Sequence, residues 1–158
     1  MTMLLTTAQR LIMLNKIKKF LTLDGQQKKL FLQAYFLLGV MRAAILTVSF
    51  KRLSKSLQHH PEEAPHKPLD TAQLEQAKTI GRAVVTAARY TPWDSNCLAQ
   101  VLTAQRMLEQ KHIAGMFFLG VKKDEQKLGA HAWLQVDGQI LTGESGHQNF
   151  TVVSTFSW

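Results

Sequence analysis

The chain has 158 residues, 46% of them hydrophobic, with 19 Lys and Arg against 11 Asp and Glu and a single cysteine. This length fits one domain that buries roughly two-thirds of the surface of the unfolded chain, and the hydrophobic fraction argues against intrinsic disorder. A lone cysteine excludes an intramolecular disulfide framework and a multi-cysteine metal site. We expect no metal and no cofactor.

The formal net charge of +8 belongs to the N-terminal third of the chain. Residues 1–57 hold ten basic residues and one acid, a formal charge of +9, whereas residues 58–158 carry −1. Nucleic-acid modules mix basic residues with exposed aromatic residues or a recognition motif, and neither is found here, so nucleic acid is not an expected partner. Residues 1–14 lack the order of a signal peptide, which predicts a cytoplasmic protein.

The most apolar segment, Leu30–Phe50, predicts a long helix within a basic helical region over residues 1–57. Its length approaches that of a membrane span, but Arg42 would cost about 2.5–3.5 kcal/mol at the centre of a bilayer. We therefore predict a helix that is buried on most of its faces. Because basic residues flank it at both ends, peripheral contact of residues 28–55 with an anionic membrane surface is the alternative.

A proline-rich segment follows this region. Three of the four prolines fall within Gln58–Pro68, which predicts a linker over residues 58–69. We expect the histidines of this linker to be solvated rather than metal-bound; they are His59, His60 and His66. The linker separates the N-terminal region from a predicted core over residues 70–158.

Two helices open the predicted core. The first starts with the capping-box pattern Asp70–Gln73 and continues at helical spacing to about Arg89, before a Thr-Pro pair ends it. The second runs from Ser95 or Asn96 to about Lys111.

Short segments with a period of two follow the helices. The four predicted strands are Met116–Val121, Gly129–Val136, Gln139–Thr142 and Phe150–Phe156. Asp137-Gly138 predicts a two-residue hairpin turn, and Lys122–Lys127 reads as a charged, solvated loop. Helices followed by strands predict an α+β fold with an antiparallel sheet.

Cys97 falls in the first turn of the second predicted helix. The unpaired backbone N–H groups and the helix dipole favour an anion there, and therefore a thiolate, and the same groups can hold an oxyanion. An inert core cysteine is the alternative interpretation.

His131 lies on a predicted strand, with Trp133 and Gln135 on the same face and small residues on either side. A cysteine at a helix start and a histidine on a later strand form the arrangement in which the histidine deprotonates the thiol and a third polar group orients the histidine. Three further residues flank this pair and are candidates for lining a cleft: Trp93, Trp133 and Asn96.

Hairpin geometry nominates the third polar group. With a two-residue turn, the residue numbers of each pair of facing positions add to the same total. This places Glu144 opposite His131, with Cβ atoms about 5 Å apart. Asp137 lies roughly 20 Å along the strand from His131. Glu144 is therefore preferred over Asp137, although a bulge at Gly143 would shift the register.

These residues resemble the lasso-peptide leader peptidases, which belong to the transglutaminase-like and papain-like cysteine proteases. The resemblance covers roughly residue 20 to the end, and its motifs are RYTPW at Arg89–Trp93 before Cys97-Leu98, Gly120-Val121 and HAW at His131–Trp133. It implies a transglutaminase-like core in which the helix that bears the cysteine packs on an antiparallel sheet.

The resemblance also implies an activity. A cysteine endopeptidase would cleave the leader from a ribosomally synthesised precursor peptide through a thioester, with Cys97 as nucleophile and His131 as base. The family pattern often has an Asp shortly after the HAW strand; here position 143 is Gly, so the third member stays open between Glu144 and Asp137. The implied partners are the precursor, a separate small leader-recognition protein and a macrolactam-forming synthetase.

Two other functions fit the same residues. A transglutaminase-like acyltransferase would pass the thioester to an amine instead of water. A non-catalytic scaffold would use its basic apolar helix to bind a partner or a membrane, with Cys97 incidental.

Overall fold

A computed structural model describes residue 18 and residues 20–53, 58–60, 68–124 and 127–158. The helices are α1 (Gly25–Thr47), α2 (Phe50–Leu53), α3 (Thr71–Ala88) and α4 (Cys97–Glu109). The strands are β1 (Gln58–His60), β2 (Met116–Asp124), β3 (Lys127–Val136), β4 (Gln139–Thr142) and β5 (Thr151–Ser157). A 3-10 turn, His147–Asn149, comes directly before β5.

The described strands form a five-stranded sheet in the order β1-β5-β2-β3-β4, and every neighbouring pair is antiparallel. One face of the sheet packs on α3 and α4, with α1 against the far side of those two helices. The opposite face carries a smaller cluster of Met116, Phe118 and Trp133. The α+β prediction is confirmed.

The start of α3 is set by local chemistry. The Asp70 carboxylate accepts a hydrogen bond from the Gln73 N–H at 2.7 Å, and the Gln73 side chain accepts from the Asp70 N–H at 3.3 Å. This capping box satisfies N–H groups that the first turn leaves without helical partners. The predicted helix from Asp70 is therefore confirmed, and it ends at Ala88.

The start of α4 is also as predicted, because Asn96 caps it and Cys97 is its first residue. The helix ends at Glu109, two residues short of the expected end. The chain turns there, and His112 has a φ of 54°, a left-handed conformation that does not continue a helix.

The predicted hairpin is confirmed. Asp137 and Gly138 have φ values of 47° and 76°, the left-handed pair of a type I′ turn, and Val136 pairs with Gln139 across it. The prediction of a charged loop over residues 122–127 is wrong for the residues at both ends of that range, because the β2–β3 ladder continues to the Asp124–Lys127 pair. Residues 125 and 126 lie outside the described residues.

Helix α1 departs from the prediction of burial on most faces. It buries one stripe, formed by Leu30, Ala34 and Leu38, because it packs on α3 and α4 from one side. Leu32 and Phe36 on the outer face are 56% and 70% exposed. The sequence pattern could not show this, since apolar residues occupy nearly the whole circumference of the helix.

By length and composition, α1 is the helix of the described ranges that could cross a membrane, with a mean hydropathy of 1.7 over its most apolar window. A core helix passes the same test. Here α1 shares a hydrophobic core with α3, α4 and the sheet.

The segment predicted as a linker over residues 58–69 contributes β1, which pairs with β5 at one edge of the sheet. Residues 61–67, including His66, lie outside the described residues, as do the side chains of His59 and His60 and residues 1–17.

Candidate active site

A cleft of about 700 Å³ opens between the α3–α4 side of the fold and β4 with the segment that follows it. Cys97 and Gln100 border it from α4, and His131 borders it from β3. Gly143 and Glu144, just beyond β4, line the opposite wall. The fold therefore brings the cysteine and histidine singled out in the sequence to one cavity.

Cys97 is half-buried at the first position of α4. The Asn96 side-chain oxygen accepts from the Ala99 N–H at 3.0 Å, and the Asn96 carbonyl accepts from the Gln100 N–H at 3.0 Å. Among the described residues, the N–H groups of Cys97 and Leu98 have no acceptor, as expected for the first positions of a helix. These two donors and the helix dipole favour negative charge beside the Cys97 sulfur.

The loop before Cys97 is held by a polar network. The Thr91 hydroxyl lies 3.1 Å from the carbonyl oxygens of Ala88 and Trp93 and 2.8 Å from the Ser95 hydroxyl. Gln100 donates from its side chain to the Ser95 carbonyl at 2.8 Å. The network ties both ends of the loop to the helices that it joins, and so fixes where α4 begins.

Helix α1 braces the same loop from outside. The Trp93 ring packs against Tyr35, with ring centroids 5.3 Å apart, and lies over Gly39, where a Cβ would come within 3.0 Å of the indole. Arg42 forms a 3.4 Å ion pair with Asp94. Trp93 therefore anchors the loop to α1 and, contrary to the prediction that it flanks a cleft, does not line this one.

The His131 ring is held by a backbone carbonyl. Its Nε2 lies 2.8 Å from the carbonyl oxygen of Gly143. A carbonyl oxygen can only accept, so Nε2 donates the proton, and in the neutral ring Nδ1 carries the lone pair. This is the tautomer a general base requires, with one nitrogen oriented and the other able to take a proton.

Aromatic rings restrict His131 further. The imidazole centroid lies 5.1 Å from the Phe150 ring and 6.0 Å from the Trp133 ring. Gly120 pairs with His131 across the β2–β3 ladder, and a Cβ at Gly120 would lie 2.8 Å from both Phe150 and the Trp133 ring. The glycine thus lets these two rings approach close to the imidazole. Trp133 is 5% exposed and supports His131 from behind rather than lining the cleft.

Cys97 and His131 border the same cleft. Within the described part of the chain, no hydrogen bond joins the Cys97 sulfur to the His131 ring. Contacts between catalytic groups are often long in free enzymes and shorten when substrate binds.

The register beyond the hairpin turn differs from the expected one. Gln135 pairs with Ile140 as predicted, but Leu134 pairs with Thr142, so a bulge at Leu141 shifts the ladder by one residue. Because β4 ends at Thr142, the expected pairing of His131 with Glu144 is not formed.

Glu144 and Asp137 therefore lie in different places. Glu144 is exposed at the rim of the cleft, whereas Asp137 is exposed in the hairpin turn and does not line the cleft. Neither carboxylate forms a hydrogen bond with the described atoms of His131.

Gly143 contributes a functional group, its backbone carbonyl, that was not predicted from the sequence. Gly143 has a φ of 76°, and a Cβ there would overlap the Ala132 carbonyl oxygen and lie 2.8 Å from the Trp133 Cα. This backbone excludes a side chain at position 143. The signal in the sequence was the glycine itself, which also fits a bulge in a strand.

Comparison with known proteins agrees with this architecture. The family model described as the transglutaminase-like superfamily matches residues 41–155, from the second half of α1 into β5. No curated protein and no solved structure matches the chain. Because the match covers well over half of the sequence and includes Cys97 and His131, the chain belongs to the transglutaminase-like superfamily.

Proposed function

We propose that this protein is a cysteine peptidase that removes the N-terminal leader from a ribosomally synthesised precursor peptide. The observation that carries the proposal is the cleft that Cys97 and His131 share. Cys97 lies at the start of a helix, and the Gly143 carbonyl holds the proton of His131 on Nε2. Membership of a superfamily that includes cysteine proteases and acyltransferases supports this class of chemistry. The choice of a lasso-peptide leader as substrate rests on the resemblance of the RYTPW, Cys-Leu and HAW motifs.

The proposed reaction has two stages. His131 Nδ1 accepts the Cys97 proton as substrate draws the two side chains together, and the sulfur attacks the scissile carbonyl carbon. The N–H groups of Cys97 and Leu98 stabilise the oxyanion. The C–N bond breaks as His131 returns the proton to the leaving amine, which frees the core peptide. Water, deprotonated by His131, then attacks the thioester, breaks the C–S bond and releases the leader as a carboxylic acid.

We assign the orienting role to the Gly143 carbonyl in place of a triad carboxylate. The 2.8 Å contact with His131 Nε2 supports this assignment. A Cys-His-Glu triad would require Glu144 to turn toward His131 from the cleft rim, and a triad through Asp137 would require it to reach from the hairpin turn.

The test is cleavage of a defined library of short peptides in oxygen-18 water, followed by mass spectrometry. The wild-type protein should give products whose new carboxyl group carries oxygen-18, and Cys97→Ala should give none while keeping the melting temperature of the wild type. Full activity of Cys97→Ala would overturn the proposal.

The same experiment separates hydrolysis from acyl transfer. If an acyltransferase is at work, the acyl fragment will appear joined to an added amine, without oxygen-18, in preference to the free acid. A non-catalytic scaffold would give neither product.

Three further partners belong to this proposal: the precursor peptide, a separate leader-recognition protein and the macrolactam synthetase that takes the released core. Copurification of the protein with a co-expressed leader-recognition protein and precursor tests the assembly. We expect cleavage to accelerate when the recognition protein is added, because it would hold the leader near Cys97 and raise its effective concentration.

We also propose that the outer face of α1 lies on an anionic membrane surface on the cytoplasmic side. The stripe that contains Leu32, Phe36 and Leu46 is exposed, and cations flank it at Lys29 and Lys51. The protein should sediment with phosphatidylserine vesicles and not with phosphatidylcholine vesicles. Phe36→Ser should abolish sedimentation, and equal sedimentation of this variant would contradict the proposal.

A further inference from the structure

Three cationic side chains line the α3 wall of the cleft that holds Cys97: Lys78, Arg82 and Arg89. They are separated by four and seven residues, so they share one face of the helix. Glu144 is the acid among the described lining residues. Because residues 58–158 carry a net charge of −1, this gathering of cations is a feature of the fold and not of the composition.

The two arginines are available to a ligand. Lys78 donates a 2.8 Å hydrogen bond to Glu75, and this bond, together with the Lys78 charge, lowers the pKa of the Glu75 carboxyl. Arg82 donates to the neutral Thr79 hydroxyl at 3.2 Å. Arg82 and Arg89 are exposed, and neither forms a salt bridge with a described carboxylate.

The dimensions of the wall fit an extended chain. Arg82 and Arg89 are seven residues apart on α3 and its C-cap, a rise of about 10 Å. An extended peptide covers this distance with about three residues. Charges spread over such a length match a peptide segment better than a small anion.

We infer that the cleft binds an acidic peptide segment, whose carboxylates contact Arg82 and Arg89 while the adjoining backbone reaches Cys97. The planar guanidinium groups can each hold a carboxylate through two hydrogen bonds. The inference rests on the proposed function, because it names the substrate class of the same site.

Alkylation of Cys97 measures the field of these arginines directly. Because the sequence contains one cysteine, the reaction reports on this position. The quantity to measure is the rate with iodoacetate divided by the rate with the neutral iodoacetamide. Both reagents need the thiolate, so a changed thiolate fraction cancels from the ratio.

Removal of both charges, in the double variant Arg82→Gln with Arg89→Gln, should lower this ratio about three- to fivefold at low ionic strength. This is the effect of losing two unit positive charges on the order of 8–10 Å from the iodoacetate carboxylate in water. Salt should shrink the difference. Arg106→Gln removes a cation that pairs with Glu109 on α4 away from the cleft, and it should leave the ratio unchanged. Equal ratios for the wild type and the double variant would overturn the inference.

A second measurement identifies the ligand class. A short glutamate-rich peptide should slow iodoacetamide modification of Cys97 in the wild-type protein at least fivefold more than its glutamine counterpart does, and the double variant should lose this difference. Equal protection by the two peptides would overturn the inference. Neither measurement requires turnover. If the proposed peptidase activity is wrong but the acidic-peptide site is right, cleavage will be absent while both alkylation results still depend on the two arginines. Cleavage of acidic and neutral peptides with equal kcat/KM, together with unchanged ratios, would refute the acidic-peptide site and leave the peptidase standing.

Discussion

The Gly143 carbonyl is the least expected part of the proposed site, and replacing Gly143 by alanine tests it. At a φ of 76°, an alanine pays about 1–2 kcal/mol for the left-handed conformation. Its Cβ would also overlap the Ala132 carbonyl oxygen and press on the Trp133 backbone, a forced contact that costs about 1–3 kcal/mol. Together these terms predict a loss of about 2–5 kcal/mol in the free energy of unfolding.

Gly138→Ala is the matched control. Gly138 has the same φ of 76°, but a Cβ there meets nothing within 4 Å. It should therefore lose only the conformational term, about 1–2 kcal/mol. At about 2–4 °C per kcal/mol for a chain of this size, thermal unfolding should show Gly143→Ala melting clearly below Gly138→Ala.

Activity separates a positioning role from a purely structural one. To relieve the overlap, the Gly143 peptide must move away from β3, and its carbonyl then leaves His131 Nε2. We expect kcat of Gly143→Ala to fall about 100-fold at a temperature where both variants are folded, the scale of a 1 Å misplacement, while Gly138→Ala stays near the wild type. Equal kcat values for the two variants would refute the assignment of Gly143 as the orienting group.

Four other substitutions extend the account. Glu144→Gln and Asp137→Asn should each retain kcat within about threefold, because neither carboxylate forms a hydrogen bond with His131. Removing a general acid–base group lowers the rate by far more than this. A large loss of kcat in a folded Glu144→Gln protein would assign the orienting role to Glu144. Asn96→Ala should lower the free energy of unfolding by about 1 kcal/mol through loss of the helix cap in chemical denaturation, and no loss would contradict the capping role. Gly120→Ala should lower the free energy of unfolding by about 1–3 kcal/mol and reduce kcat, because its Cβ would push Phe150 and Trp133 against the imidazole. An unchanged kcat at full stability would show that these rings do not position His131.

Local signals in the sequence predicted most of the core. The Asp70–Gln73 capping box and the Asn96 cap each depend on bonds between residues three apart, so the sequence is enough to predict them. The Asp137-Gly138 turn is equally local, because both residues tolerate a positive φ. These features fixed where Cys97 and His131 stand on their own elements.

The remaining features depend on packing between distant segments. Helix α3 meets β4 so closely at Gly81 that a Cβ there would lie 2.8 Å from the Leu141 Cβ, and Leu141 is the bulged residue that shifts the register away from Glu144. The exposed face of α1 is likewise set by which side meets α3 and α4. Neither contact leaves a periodic trace in the sequence, so the third site group was assigned to a side chain when the structure offers a backbone carbonyl.

The cationic wall of the cleft was also hidden in the sequence. Arg82 and Arg89 belong to a segment of near-neutral net charge, and their helical spacing is that of an ordinary solvated face. Only the position of α3 beside Cys97 turns that face into one side of a binding cleft.

The central claim is that Cys97 carries the acyl group during turnover. Intact-protein mass spectrometry of samples quenched in acid, taken during cleavage of a precursor or library peptide, measures this directly. The account predicts a protein species heavier by the acyl mass of the N-terminal product, located on Cys97, removed by hydroxylamine and absent from Cys97→Ala. Product that accumulates from Cys97→Ala, or an acyl group found on another residue, would contradict it.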